Sequence, residues 1–534
     1  MKASDLLVRC LEAEGVEHVF GLPGEELEDL LFSIRQSDIE FIPTRHEQGA
    51  AFMADVHGRL TGEAGVCLAT LGPGATNLIT GVADAHLDKS PLVAITGQGS
   101  RERLHKESHQ ALNVVQMFEP VVKWNSQIAE AETIPESVRK AFKLAEYEKP
   151  GATHLEFPED VAAEATESGP LSTRDRVRRP DPDQTSLDRA AQFLSTAEAP
   201  MVLAGNGAVR TPAARRLREL VEQVGVPVVA TYMGKGAVSD RLDASLMTLD
   251  SGPDREAADA IARADCVLAV GYDIAEHDPE SWNPDCNKTV IHVDHEPAEV
   301  YEHYNPDVEL VADISATLRG LHERLTDVTA STRCQDLHEQ IAADTSRKPD
   351  PDDPFSVKRT LPYLRAAMAD DDVLISDVGS HKMAIAKHFR TYEPNTCIVS
   401  NGLASMGIAV PGGVAADLAV DANVVVATGD GGFLMNAAEI ETATRLGLGF
   451  TIVVFNDNDY GLISEKQIDH TGEQFGTGLT NPDFQQFAES FGIESYRPET
   501  WDAVESTLQS VVPAESMALV EIPLNEVPAE DTSV

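Results

Sequence analysis

Val424-Val425-Val426-Ala427-Thr428-Gly429-Asp430-Gly431-Gly432 is an apolar, β-branched run that stops at a glycine turn holding one carboxylate. A continuous run of that kind reads as a strand buried on both faces. A helical pattern follows over residues 436–445. Strand, glycine turn and helix form the geometry in which backbone N–H groups and a helix N-terminus hold phosphate. A carboxylate in that turn can hold Mg²⁺ against the phosphate. The next apolar run, residues 450–455, leads into Asn456-Asp457-Asn458-Asp459-Tyr460-Gly461. In a parallel sheet the C-terminal ends of nearby strands open into one crevice, so Asp430 and Asp457 are expected to meet there. A turn without a ligand is the plain alternative for Gly429-Asp430-Gly431-Gly432; the second Asn/Asp cluster after the next strand weighs against it.

The same alternation extends outward in both directions. Short apolar runs at residues 65–70, 91–96, 200–204, 227–230, 266–270 and 373–376 alternate with helix-like patterns, such as residues 5–14. Such alternation predicts β-α units around parallel sheets. Polar, proline-containing stretches at residues 167–184 and at Lys348-Pro349-Asp350-Pro351-Asp352-Asp353-Pro354 read as linkers. The expected fold class is α/β, with three successive doubly wound parallel-sheet domains at residues 1–166, 185–335 and 355–525. Residues 528–534 read as a frayed tail.

Composition narrows the function. The 534 residues carry 42 Lys and Arg against 88 Asp and Glu, a net charge of −46. Nucleic acid and anionic membrane both select basic surfaces and are not expected as partners. No apolar run reaches the ~18 residues of a membrane span, and the N-terminus lacks the apolar core of a signal peptide. Six cysteines lie far apart, with no C-x-x-C pair. A disulfide framework or zinc site is not expected, and a reducing cytoplasm is. The acid is spread along the chain, and 14 of the 42 basic residues are Lys. That pattern reads as a halophile-like surface adapted to concentrated salt, where self-repulsion is screened within a few Å.

Gly-Asp-Gly with its 27-residue step to Asp457 resembles the signature of thiamine-diphosphate enzymes. Thr44-Arg45-His46-Glu47-Gln48-Gly49-Ala50-Ala51 resembles the segment bearing their catalytic glutamate, and Leu71-Gly72-Pro73-Gly74-Ala75-Thr76-Asn77 resembles their glycine-rich loop. His109-Gln110, Gly271-Tyr272-Asp273, Asp377-Val378-Gly379-Ser380-His381 and Phe389-Arg390-Thr391-Tyr392-Glu393-Pro394 bring the likeness closest to acetolactate synthases, and within them to the catabolic, FAD-independent type. The resemblance spans about residues 1–525. It implies a pyrimidine-binding domain, a central Rossmann-like domain and a diphosphate-binding domain, in a homodimer or homotetramer whose active sites lie between subunits.

The resemblance also assigns residues. Glu47 is expected to hydrogen-bond the pyrimidine N1′ and help the cofactor shed its C2 proton. Gln110 is expected near the reacting carbons, with His109 as a candidate proton donor or a hydrogen-bonded spacer. Gly24, Gly74, Asn77, Ser380, His381, Gly431 and Gly432 are expected to bind the cofactor. The Ala404 carbonyl would bond N4′, and Met406 would be the wedge that bends it. Asp430, Asp457 and the Asp459 carbonyl are the expected Mg²⁺ ligands. The implied reaction decarboxylates pyruvate and condenses the two-carbon unit with a second 2-oxoacid, giving 2-acetolactate. Ile463-Ser464-Glu465-Lys466-Gln467 stands where anabolic relatives carry a tryptophan that favours 2-ketobutyrate, which favours pyruvate as acceptor.

Other readings stay open at this stage. A thiamine-diphosphate-dependent 2-oxoacid decarboxylase would release an aldehyde. Gly205-Asn206-Gly207 in the central block is a weak dinucleotide signal, and an NAD(P)-dependent oxidoreductase built on it would leave Glu47 unexplained. A non-catalytic protein would not need Glu47, Asp430 and Asp457. Without the basic and glycine features of a flavin site, FAD is not expected.

Overall fold

The computed structural model of the chain describes residues 1–172, 177, 179–253, 255–325 and 333–524. The expected tail at 528–534 and part of the first expected linker lie outside the described residues. Three six-stranded sheets follow one another along the chain. The first holds β1 (His18–Gly21), β2 (Glu40–Pro43), β3 (Gly65–Ala69), β4 (Leu92–Gln98), β5 (Trp124–Gln127) and β6 (Ala152–Pro158), in the order β2-β1-β3-β4-β6-β5. The third holds β13 (Val373–Ser376), β14 (Cys397–Val399), β15 (Val424–Gly429), β16 (Thr451–Asn456), β17 (Glu494–Tyr496) and β18 (Ala518–Pro523), in the order β14-β13-β15-β16-β18-β17. Renumbered from its own first strand, the third sheet has the order of the first. All neighbouring strands in these two sheets run parallel. The central strands β3, β4, β6 and β16 are buried along their whole length, as two helix-covered faces require.

The second sheet holds β7 (Pro200–Ala204), β8 (Val228–Ala230), β9 (Ser245–Thr248), β10 (Cys266–Val270), β11 (Thr289–Asp294) and β12 (Val308–Val311). Its order, β12-β11-β10-β7-β8-β9, is the dinucleotide-fold order, with the switch point between β7 and β10. At that crevice the Glu276 carboxylate accepts the backbone N–H groups of Asn206 at 3.0–3.1 Å and of Asp273 at 3.1 Å, and the Thr231 hydroxyl at 2.6 Å. A side chain of the protein thus takes the N–H groups that a dinucleotide fold offers to phosphate.

Burial, with Asp273 nearby, pushes the Glu276 carboxyl up to about 8. The unfolded chain would release this proton in the ordinary glutamate range. The folded chain therefore holds an extra proton in between, and its stability falls as pH rises through that window to about 8. Glu276→Gln keeps an acceptor for both amides and offers an N–H to Thr231. Because the residue is half-buried, the expected gain in thermal midpoint is modest, about 1–3 °C above pH 8 and smaller near pH 5. An equal shift at both pH values, read by calorimetry, would contradict this account.

One hydrophobic core joins the first and third sheets. Helix Glu47–Thr61 packs on helix Ala409–Ala419, and both contribute to a cluster that runs from Phe20 to Leu519. Gly412 allows the approach: a Cβ there would lie 3.0 Å from Val56 Cγ2. The two outer domains of the chain thus share one packed core.

Candidate active site

The first group of site residues gathers at the C-terminal ends of β1, β2, β3 and β4. His46 is extended and caps the next helix, its Nδ1 accepting the Gln48 N–H at 3.1 Å. Glu47 therefore opens helix Glu47–Thr61, where the helix dipole favours a carboxylate. The side chain is only 6% exposed, and Oε2 accepts the Asn77 amide N–H at 2.9 Å. Asn77 stands on helix Pro73–Leu87. Gly74, in the same helix, leaves room for this pair: a Cβ there would lie 3.3 Å from Glu47 Oε1 and 2.9 Å from Thr70 Cγ2. Gly24 packs on the other side of Thr70, where a Cβ would come within 2.4 Å. Gln110, at φ 57°, lies against Gly72, whose added Cβ would meet the Gln110 carbonyl oxygen at 2.6 Å. Gln110 and His109 are both exposed on the single chain. The buried Gln98 amide donates to the Leu112 carbonyl at 3.1 Å, and so tethers the loop that carries them.

The second group gathers at the C-terminal ends of β13, β15 and β16, again at a switch point in strand order. Ser380 opens helix Ser380–His388. His381 is buried, its Nε2 has no partner, and burial holds the ring down to about 4. Asp430, Gly431 and Gly432 open helix Asp430–Asn436, directly after β15. Asp457 follows β16; a Cβ on Gly461 would lie 2.7 Å from its Oδ2 and 3.5 Å from Ser380 Oγ. Burial first, and Asp430 second, push the Asp457 carboxyl up to about 7. The Asp459 N–H donates to Asp457 Oδ1 at 3.1 Å, while Asp459 Oδ1 is buried without a partner. Ala404, at φ 55°, is exposed, and Met406 is half-buried. Gly407, next to Met406, is pinned from two sides. Its N–H goes to Asp377 Oδ1 at 2.8 Å, and its carbonyl accepts the Asn436 amide at 2.8 Å.

The chain thus gathers its expected residues into two groups, with no hydrogen bond between the groups among the described residues. Glu47, Asn77, Gly74, Gly24, Gln110 and His109 form one. Ser380, His381, Ala404, Met406, Gly431, Gly432, Asp430, Asp457 and Asp459 form the other.

Three family models match in chain order. They are the thiamine pyrophosphate enzyme N-terminal TPP binding domain at residues 1–117, its central domain at 187–321 and its C-terminal TPP binding domain at 377–522. The chain is 33% identical to an acetolactate synthase of Bacillus subtilis, over 98% of this chain and 93% of that one. The chain belongs to the thiamine pyrophosphate enzymes. It is also 34% identical to a catabolic acetolactate synthase of Raoultella terrigena, over 98% of this chain and 95% of the relative. Identity to the large subunit of acetolactate synthase isozyme 2 of Escherichia coli is 32%, over 98% and 96%.

As a thiamine pyrophosphate enzyme, the chain presents residues that fit a magnesium-bound diphosphate. Two carboxylates share one crevice, where burial and the neighbouring Asp430 raise the Asp457 carboxyl. His381 Nε2 is a buried polar atom still lacking a partner. Among the described residues no group of three or more His, Cys, Asp or Glu side chains could hold a metal.

Three residues of this thiamine pyrophosphate enzyme escaped the sequence reading. Asn481 Nδ2 donates to Asp430 Oδ2, and at 3.1 Å to the side-chain oxygens of both Asn456 and Asn458. Asp377 is buried and also holds Val378 N at 2.7 Å. Glu439, fully buried, accepts the N–H groups of Arg45 and His46 at 2.9 and 3.0 Å, and so braces the turn before Glu47 from the third domain. Gly49 makes room for it, since a Cβ there would lie 2.6 Å from Glu439 Oε1. Asp377 falls inside a quoted motif, and Asn481 and Glu439 carry no local signal.

Proposed function

We propose that this thiamine pyrophosphate enzyme is an acetolactate synthase of the catabolic type, which decarboxylates pyruvate and joins the two-carbon unit to a second pyruvate. The observation that carries the reading is the Glu47 carboxylate, buried at a helix start and held by Asn77. The relatives named above supply the substrate class. Thiamine diphosphate, when bound, supplies the electron sink that lets carbon dioxide leave a 2-oxoacid. Glu47 holds a proton at the pyrimidine N1′. The Ala404 carbonyl accepts the N–H at N4′, and Met406 supports the two rings. Asp430, Asp457 and the Asp459 carbonyl hold Mg²⁺, and Ser380, His381, Gly431 and Gly432 hold the diphosphate beside it. Gln110 and His109 would lie near the reacting carbons, with His109 as a proton donor or a hydrogen-bonded spacer.

The separation of the two groups within one chain supports a homodimer or homotetramer, in which Glu47 of one subunit faces the diphosphate site of another. Exposed Leu403, Leu434 and Met435, close in sequence to Met406 and Asp430, supply an apolar surface for that contact. No flavin is proposed, because Glu276 occupies the N–H groups at the central crevice. Among the described residues no helix is long and apolar enough to cross a membrane. Four buried thiols outside any disulfide, Cys10, Cys67, Cys266 and Cys397, support a cytoplasmic location.

Incubation with pyruvate, thiamine diphosphate and Mg²⁺, followed by product identification, tests the reading. Acetolactate is expected; acetaldehyde as the main product would make the protein a 2-oxoacid decarboxylase instead. The charge of −46 is read as adaptation to concentrated salt. The thermal midpoint is expected to rise from dilute buffer to molar KCl, and an unchanged midpoint would remove that account.

A further inference from the structure

Helix Pro73–Leu87 ends in acid: Asp84 lies in its last turn and Asp88 is its C-cap. Carboxylates at that end oppose the helix dipole, and both are buried, at 0% and 4% exposure. Their partners explain the placement. Arg59, on helix Glu47–Thr61, reaches Asp55 through two nitrogens at 2.9 Å, Asp84 at 3.2 Å and Asp88 at 2.8 Å. Three carboxylates thus surround one guanidinium, and the acceptors left over are spent on the third domain.

Asp88 Oδ2 accepts the Asn401 N–H at 3.0 Å, and its Oδ1 accepts the Gly402 N–H at 2.5 Å. Asp84 Oδ1 accepts the Ser400 hydroxyl at 2.6 Å, and that same oxygen of Ser400 accepts the Ser405 N–H at 3.1 Å. Arg59 Nη1 donates to the Val399 carbonyl at 2.7 Å. Lys382 Nζ donates to Asn401 Oδ1 at 3.0 Å from the other side. The segment between β14 and helix Ala409–Ala419 contains no helix or strand of its own. The backbone of its first half is held by the first domain, while the Asn401 side chain also meets Lys382 and the Glu276 carbonyl, and its second half, from Gly407, is held by Asp377.

We propose that Asp88, held by Arg59, is the positioning residue that sets the backbone of residues 400–405, and so aims the Ala404 carbonyl and Met406 at the pyrimidine of the cofactor. The inference rests on the functional reading above, which gives Ala404 and Met406 their roles. Charged acceptors hold backbone N–H groups more firmly than neutral ones. A buried ionic cluster with all its partners satisfied specifies one arrangement, and a substitution that leaves a buried N–H without an acceptor disturbs it. Asp88 is the critical member, because both its oxygens take backbone N–H groups. An Asn there must turn one N–H donor toward another. Asp84 receives one hydroxyl and one guanidinium, and an Asn there can donate to the hydroxyl and accept from the guanidinium.

The test uses the full-length protein with Asp88→Asn, Asp84→Asn and Ser400→Ala. Amide hydrogen exchange without cofactor is read at residues 401, 402, 405 and 407. Asp88→Asn is expected to speed exchange at 401 and 402 by about tenfold or more, and Ser400→Ala to do so at 405. Residue 407 is expected to keep its rate in both. Calorimetry in Mg²⁺ then compares thiamine diphosphate with inorganic pyrophosphate, which lacks the pyrimidine. Asp88→Asn is expected to weaken thiamine diphosphate by about 10–100-fold, with pyrophosphate within twofold. Asp84→Asn is expected to bind both as the wild type does. Unchanged exchange at 401 and 402, or equal weakening of both ligands, overturns the proposal. Failure of the wild-type protein to bind thiamine diphosphate at all overturns the functional reading, and this cofactor-directed role with it.

Discussion

Glu47→Gln is expected to lower turnover of pyruvate by about 10²–10⁴-fold, the usual contribution of a positioned proton-transfer group. The substitution conserves shape. Gln still accepts the Asn77 N–H through its carbonyl oxygen, so the 2.9 Å contact survives. Its Nε2 replaces an oxygen next to Gly74, and an amide nitrogen can neither hold nor release a proton at the pyrimidine N1′. Burial of a neutral amide costs less than burial of a carboxylate, so the thermal midpoint should not fall. Cofactor affinity should change by less than turnover, since the diphosphate group of residues lies elsewhere in the chain. Steady-state kinetics, differential scanning calorimetry and cofactor titration separate these effects. Near-normal turnover in Glu47→Gln would remove the residue from the mechanism. A collapsed midpoint would show that the substitution acts through folding rather than chemistry.

The readable parts of this molecule are those whose cause is local. Residues 373–376 and 424–428 are runs of buried apolar side chains, and they became β13 and most of β15. Gly429-Asp430-Gly431-Gly432 needed no distant partner to be read as a strand end opening a helix. The helical pattern over 436–445 became helix Glu439–Leu446, and only its start escaped local reading. The chain turns between helix Asp430–Asn436 and helix Glu439–Leu446. Asn436 sends its amide to the Gly407 carbonyl, and Glu439 reaches Arg45 and His46, 394 and 393 positions away in the chain. No periodicity within the segment encodes either partner. The same reason hid Asp84 and Asp88. At a helix C-terminus they look like solvated surface acid in a chain full of it, and only the approach of Arg59 and Asn401 reveals their task. Strand order was equally silent, because the patterns for β7 and β10 say that both are buried but not that they are neighbours.

Asp430→Ala is expected to weaken Mg²⁺ and thiamine diphosphate together, by about 10²-fold or more for the pair, because each is held largely through the other. The argument is electrostatic. Asp430 is 1% exposed and Asp457 stands beside it, so the crevice concentrates negative charge where a diphosphate must sit. Without a cation, that diphosphate would be repelled; with Mg²⁺ between them, the same charges attract. Removing Asp430 has a second consequence within the protein. The Asp457 carboxyl loses its nearest like charge, so its proton is held less tightly and the value near 7 should fall. Asn481 loses its contact with Asp430 but keeps Asn456 and Asn458 as acceptors. The fold around the turn should therefore survive, and the thermal midpoint without ligands should stay close to that of the wild type. Calorimetric titration of thiamine diphosphate in the presence and absence of Mg²⁺ reads the coupling directly. In the wild type, removal of the metal should cost most of the affinity. In Asp430→Ala, metal should make little difference, because the site that used it is incomplete. Retention of a wild-type Mg²⁺ response in that variant would place the cation away from Asp430 and Asp457, and with it the diphosphate.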